Sequence, residues 1–212
     1  MPDFQHEDRA RSAGHAVVCG IDEAGRGPWA GPVVAAAVIL DRASLPGELA
    51  AGLDDSKRLK PQARERLLTA LGPCAAIGIG QATAAEIDAV NVLQATFLAM
   101  DRAVRSLGRV PDFALVDGNR PPPLPSIPGC LVDCLVGGDG RSLSIAAASI
   151  AAKVTRDRLM AGLAARFPGY GWERNAGYGT AEHKAALIRL GVTPEHRKSY
   201  KPILNILGGA ES

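Results

Sequence analysis

Aromatic side chains are scarce, with two Trp, three Tyr and four Phe in 212 residues. So few rings give little surface for stacking on sugars, which argues against a carbohydrate-cleaving groove. Long apolar runs are also missing. No stretch continues without charge, Gly or Pro for the length needed to cross a bilayer, so no membrane partner is expected. Residues Met1 to Arg11 mix Asp, Glu, His and Arg and have no apolar core of a signal peptide. They predict a solvated tail over residues 1–14 and a cytoplasmic protein. None of the four cysteines, Cys19, Cys74, Cys130 and Cys134, forms a Cys-x-x-Cys pair, so zinc and redox motifs are absent. They read as small buried hydrophobes, with Cys130 and Cys134 able to share one strand face. Net charge is only +2, so total charge does not point to a nucleic-acid partner and its distribution must decide. With no coiled-coil pattern either, a monomer is expected.

What is present reads as one α/β domain with no internal repeat. Residues 16–21 and 32–40 are apolar runs that predict two strands, the second a plausible antiparallel partner of the first. Pro61 opens a helix to Leu71. A Gly-interrupted strand over 75–80 leads to Thr83-Ala-Ala-Glu86, a capping-box signature. The helix beyond carries Ile87, Val90, Leu93, Phe97 and Met100 at helical spacing. Strands are predicted at 113–116 and 130–136, separated by a Pro-rich loop over 121–128. An Ala-rich helix spans 144–167, and Thr180 and Thr193-Pro194 carry the N-cap pattern of two more helices. The domain would run over 15–203, with a tail at 204–212.

Acidic residues stand where strands end. Asp22 and Glu23 follow the first, Asp117 ends another and Asp139 follows a third. In open α/β sheets functional groups gather at such ends. Carboxylates that converge repel one another, and hard divalent cations relieve that repulsion. An oxygen-only set favours magnesium or manganese over zinc. Such a cluster suits two-metal phosphodiester cleavage. An Asp after a strand is equally a turn residue or helix cap, so spacing alone leaves the convergence open. It also leaves Asp133 and Asp157 open as alternative ligands, and Lys153 one turn from Asp157 reads as a simple ion pair.

The segment Gly20-Ile-Asp-Glu-Ala-Gly-Arg-Gly-Pro28, continuing through Gly31-Pro-Val33, closely resembles the opening signature of the ribonuclease HII family. Further matches follow in family order: Asp55-Ser-Lys57, Asn91 to Ala95, Val116-Asp-Gly-Asn119, Gly138-Asp139, Ala147 to Lys153, Gly177-Tyr-Gly-Thr180 with His183, and His196-Arg197. The resemblance covers about residues 15–203. It implies a ribonuclease H-like fold, a mixed sheet flanked by helices with a helical C-terminal extension. It implies that Asp22, Glu23, Asp117 and Asp139 are the catalytic, metal-binding acids, holding two Mg2+ or Mn2+ ions, and it is the reason for preferring Asp139. It implies substrate contacts from Gly25, Arg26, Gly27, Tyr178, Lys57, Asn119 and Lys153. The activity implied is hydrolysis on the 5′ side of ribonucleotides in RNA/DNA hybrids and in DNA duplexes containing ribonucleotides, leaving 3′-hydroxyl and 5′-phosphate ends. Ala176 and Gly137 stand where the family often carries basic residues, and the Pro-rich loop is longer.

The chemistry of these residue types agrees. Glycines at 25 and 27 let backbone approach a sugar and bond its 2′-hydroxyl, which separates RNA from DNA. Arg26 can meet a phosphate with a planar fork, and Tyr178 can stack on a nucleotide. Basic residues crowd the C-terminal third, at Arg174, Lys184, Arg189, His196, Arg197, Lys198 and Lys201, a pattern suited to tracking a phosphate backbone. Either histidine there, His183 or His196, could act as an acid or base, though a surface residue is the commoner reading. Rival readings are a ribonuclease HIII or recombinase-like relative, a non-catalytic binder of hybrids, and a glycosidase. Asp22 and Glu23, adjacent on an extended strand, point to opposite faces and suit the last poorly.

Overall fold

The computed structural model describes residues 1–53, 56 and 59–208, so Lys57 lies outside the described residues. The helices and strands run α1 Gln5–Ser12, β1 Val18–Ala24, β2 Val33–Leu40, α2 Gly47–Gly52, α3 Pro61–Leu71, β3 Ala75–Ala82, α4 Ala84–Arg105, β4 Phe113–Asp117, β5 Leu131–Leu135, α5 Leu143–Arg166, α6 Trp172–Asn175, α7 Ala181–Leu190 and α8 Lys201–Gly208. Five strands form one sheet in the order β3-β2-β1-β4-β5. β1 pairs antiparallel with β2, and β2 with β3, while β1, β4 and β5 are parallel. This is the expected mixed sheet flanked by helices.

β2 is buried along its whole length, which is why it reads as an unbroken apolar run rather than an alternation. Its odd-numbered residues, Val33 to Ile39, pack with Ile87, Ala95, Ala99 and Met100 of α4. Its even-numbered Ala36, Val38 and Leu40 pack with the Ala-rich N-terminal half of α5 and with Leu71 of α3. α5 lies so close to β1 that a Cβ at Gly20 would stand 2.2 Å from the Ser144 carbonyl carbon. The alanines of α5 let that helix approach the sheet, and Gly20 accepts it.

α4 is capped as predicted. The Thr83 hydroxyl accepts from the Glu86 N–H at 3.2 Å, and the Glu86 carboxylate accepts from the Thr83 N–H at 2.9 Å. It is not one straight helix, however. Asn91 has φ 69° and ψ 164°, a conformation favourable only to glycine. Its Oδ1 accepts from the N–H groups of Leu93 and Gln94, so it ends one helical segment and caps the next.

Three expectations need correction. Residues 1–14 are not a solvated tail: 5–12 form α1, and Glu7 is buried against Ser142 and Ser144. Residues 204–208 are not tail but the end of α8, whose Ile203 is fully buried. Thr193 caps no helix; its backbone N–H instead donates to Nδ1 of His196 at 2.9 Å.

Candidate functional site

The parallel strands β1, β4 and β5 deliver their C-terminal ends to one edge of the sheet. Ile21 pairs with Val116, so Asp22 and Asp117 follow side by side on neighbouring strands. Asp117 in turn pairs with Leu135 of β5. Its Oδ1 accepts from the N–H of Gly138 at 2.7 Å, which brings the turn carrying Asp139 to the same edge. Asp22 and Asp139 are both buried.

Alternation along β1 turns Asp22 and Glu23 to opposite sides. Asp22 faces α5, where the Ser149 hydroxyl favours its ionised form. Glu23 lines a cleft of about 330 Å3 with Asp117, Asn119, Arg26 and, from α4, Thr96 and Phe97. Burial, followed by the charges of Glu23 and Asp117, holds the Asp22 carboxyl well above the usual carboxylate range. The Ser149 hydroxyl and the Glu23 N–H, 2.7 Å from Asp22 Oδ1, pull the other way. Among the described residues, no three His, Cys, Asp or Glu side chains already close around one point. The arrangement still fits a divalent cation: a buried carboxylate beside two others, all oxygen donors, resists ionisation until positive charge is supplied.

A second cleft, of about 230 Å3, joins Glu23 to Gly25, Arg26, Gly27, Lys153 and Tyr178. Gly25 has φ +97°, and a Cβ there would stand 2.0 Å from Arg156 Nε. Only glycine fits. The Tyr178 ring lies across Gly27, where a Cβ would be 3.6 Å from its Cε1, and is 48% exposed. Arg26 pairs with Glu23 at 3.3 Å, and Lys153 with Asp157 at 2.6 Å. Lys153 therefore faces the cleft while tied to its own helix. A larger apolar groove of about 500 Å3 over Pro32, Thr155, Leu159 and Leu163 contains none of the four acids.

The alternative acids stand elsewhere. Asp133 is exposed on β5. Asp157 is held between Lys153 and Arg64, the latter at 3.1 Å, and so already has cationic partners.

The C-terminal basic set divides. Lys184 and Lys201 border a cleft beside Trp29. Arg174 pairs with Glu173 and Glu182. His196 and Arg197 are fully buried, contrary to the surface patch read from the sequence, and His183 is buried too. Arg197 donates to the carbonyls of Arg26 at 2.8 Å, Gly31 at 2.9 Å and Gly25. Arg156, almost fully buried, donates to the carbonyls of Pro32, Ala30 and Ala176. Burial lowers the pKa of both guanidiniums, that of Arg156 to about 10. These two arginines and Ser149 shape the site from behind. Nothing in the sequence singles out Arg156, and Arg197 and Ser149 stand in matched segments with no role attached, because a buried arginine bonded to carbonyls has no spacing signature.

A sequence profile of the family described as Ribonuclease HII matches residues 19–203. The Ribonuclease HII of Paramagnetospirillum magneticum is 63% identical over 187 residues, covering 88% of this chain and 91% of that protein. Among solved structures, ribonuclease H2 from Pyrococcus horikoshii OT3 superposes with a TM-score of 0.76 at 28% identity, covering 93% of this chain and 100% of that one. Bst-RNase HIII in complex with Mn2+ superposes with a TM-score of 0.75 at 21% identity, covering 95% of this chain and 72% of that one, a likeness of fold. The sheet order and its helices are thus those of the ribonuclease H-like fold. Joined to the acids at the ends of β1 and β4 and in the turn after β5, these matches place the chain in the ribonuclease HII family, as a hydrolytic nuclease of the ribonuclease H type.

Proposed function

We propose that this enzyme cuts on the 5′ side of ribonucleotides, both in RNA/DNA hybrids and where single ribonucleotides stand in duplex DNA, leaving 3′-hydroxyl and 5′-phosphate ends. The observation that carries the reading is the buried Asp22 carboxylate beside Asp117 and Glu23, the last of which lines the cleft of Gly25, Arg26, Gly27 and Tyr178. Asp22, Glu23, Asp117 and Asp139 would hold Mg2+ or Mn2+. When bound, two such ions activate a water and stabilise the departing 3′ oxygen.

The protein's own groups do the rest. The backbone at Gly25 and Gly27 meets the 2′-hydroxyl that marks a ribonucleotide. Arg26 and Lys153 neutralise the flanking phosphates, with Asn119 and Lys57 as further contacts. Tyr178 stacks on the next nucleotide and senses the RNA-to-DNA junction. The manganese named for the HIII structure agrees with an oxygen-only site in this chain. The protein would act as a cytoplasmic monomer.

The test is a labelled DNA duplex with one ribonucleotide beside an all-DNA control, each incubated with magnesium, manganese or a chelator. A metal-dependent cut 5′ to the ribonucleotide, absent from the control, is expected. A cut on the 3′ side, or cleavage undiminished by the chelator, would overturn the reading.

A further inference from the structure

Four polar groups form a buried chain that ends on the backbone of Tyr178. The backbone N–H of Thr193 donates to Nδ1 of His196 at 2.9 Å. That nitrogen is therefore an acceptor, and the proton of a neutral His196 ring sits on Nε2. His196 Nε2 lies 3.1 Å from Nε2 of His183, so His196 donates and His183 accepts. The indole N–H of Trp172, which can only donate, reaches the same His183 nitrogen at 3.1 Å. The remaining proton of His183 is on Nδ1, 3.0 Å from the carbonyl oxygen of Tyr178. Each link fixes the next, so only one pair of tautomers satisfies the chain. Burial lowers the pKa of both rings, that of His196 to about 4, in keeping with neutral imidazoles.

We propose that His183 is a positioning residue for Tyr178, its Nδ1–H fixing the backbone from which the stacking ring projects. The 177–179 segment has few other restraints on that side. Its remaining bonds run from Trp29 N–H to the Gly177 carbonyl, from Gly177 N–H to Asn175 Oδ1, from Tyr178 N–H to the Asn175 carbonyl, and from Thr180 N–H to the Tyr178 carbonyl. The Tyr178 ring is half in solvent, so its aim is set by its backbone rather than by packing. The Cβ space at Gly179 is occupied by the Trp29 ring, which keeps the segment against the chain that follows Gly27. His183 thereby couples the start of α7 to the distance between Tyr178 and the ribonucleotide turn.

This inference rests on the role given to Tyr178 above, and a cycle of variants separates the two. The readout is kcat/KM on the single-ribonucleotide duplex relative to a continuous hybrid. Y178A should lower that ratio about tenfold, the worth of one stack; no loss would refute the role of Tyr178 itself. The amide nitrogen of His183→Asn stands where Nδ1 stood and can still donate to the carbonyl. His183→Gln keeps the far polar atom beside Trp172 and loses that donor. Gln should lower the ratio toward that of Y178A, and Asn should retain most of it. H183Q combined with Y178A should lose no more than Y178A alone. Trp172→Phe gives a second route: Tm falls while the ratio holds. Equal losses for Asn and Gln that follow Tm, additive losses in the double variant, or a lost ratio in W172F would each overturn the proposal.

Discussion

Glu7 and Ser144 are 137 positions apart, yet the Ser144 N–H donates to the Glu7 carboxylate at 2.9 Å and the Ser144 hydroxyl donates to it at 2.6 Å. Ser142 adds a third bond at 2.7 Å. The N-terminal helix is thus fastened to the start of α5, immediately after the turn that carries Asp139. The acid also meets the positive end of the α5 dipole.

Replacing Glu7 with Ala should therefore cost about 2–3 kcal/mol, because three bonds to a charged group are lost and buried donors are left behind. Urea unfolding at pH 7 checks this. Deleting residues 1–12 should cost more and should lower cleavage as well, since it loosens the Asp139 turn. An unchanged midpoint for both would return α1 to the status of a dispensable tail.

How much of this was legible follows from what patterns record. The runs at 16–21, 32–40 and 113–116 found β1, β2 and β4 because buried strands show as uninterrupted apolar stretches. Thr83 and Glu86 found their helix start because a cap is chemistry local to four residues. Location is a different matter. Met1 to Arg11 looks solvated because its charges are visible and the destination of one of them, Glu7, is not. Arg197 and His196 look like part of a basic surface for the same reason. Thr193-Pro194 matches a cap, but its N–H and hydroxyl are taken by His196. The glycine-like backbone of Asn91 has no signature in a helical stripe. The convergence of the acids on one sheet edge came from family resemblance rather than from spacing, since spacing does not order strands.

Arg197→Met should destabilise the protein by on the order of 3 kcal/mol, because the carbonyls of Gly25, Arg26 and Gly31 lose a buried donor together. Arg197→Lys keeps the charge but not the planar fork and should recover only part of the loss. Both should reduce cleavage of every ribonucleotide substrate alike, since the whole 25–27 turn loses its backing. Thermal unfolding and kcat/KM on the two substrates test this, and a change confined to one substrate would point away from it.

Acid should weaken the fold through the histidine pair. Burial, followed by the neighbouring charge of His183, lowers the His196 pKa from 6.5 to about 4. The unfolded chain takes up a proton near pH 6.5 that the folded chain refuses until about pH 4. Stability is then full above about pH 6.5 and falls as pH drops through that window. His183, lowered in the same direction, adds to the slope. Glu86, whose pKa is lowered to about 2 by Arg102, loses its contribution only as pH falls below about 4.5, and Asp22 acts in the opposite direction, so the imidazole share of the urea midpoints between pH 7 and 5 is read as the difference between the native protein and His196→Asn. The slope there should flatten in His196→Asn, and an unaltered slope would mean that the pair does not titrate on unfolding.

Asp22 sets function against stability. Its folded carboxyl titrates above its unfolded value, so its contribution to stability is present below about pH 4 and lost as pH rises through the folded pKa. At pH 7 without metal, the buried charge beside Glu23 and Asp117 works against the fold. Asp22→Asn should then abolish cleavage yet raise stability by about 1–2 kcal/mol in chelator, the trade expected of a site built for charge. Adding Mg2+ or Mn2+ should raise the Tm of the native enzyme by linkage and leave the D22N variant nearly unmoved. Substrate binding should survive in the variant, because the contacts at Gly25, Arg26, Gly27 and Tyr178 do not depend on this carboxylate. A D22N protein that still cuts at a near-native rate would remove Asp22 from the metal site, whatever its effect on Tm.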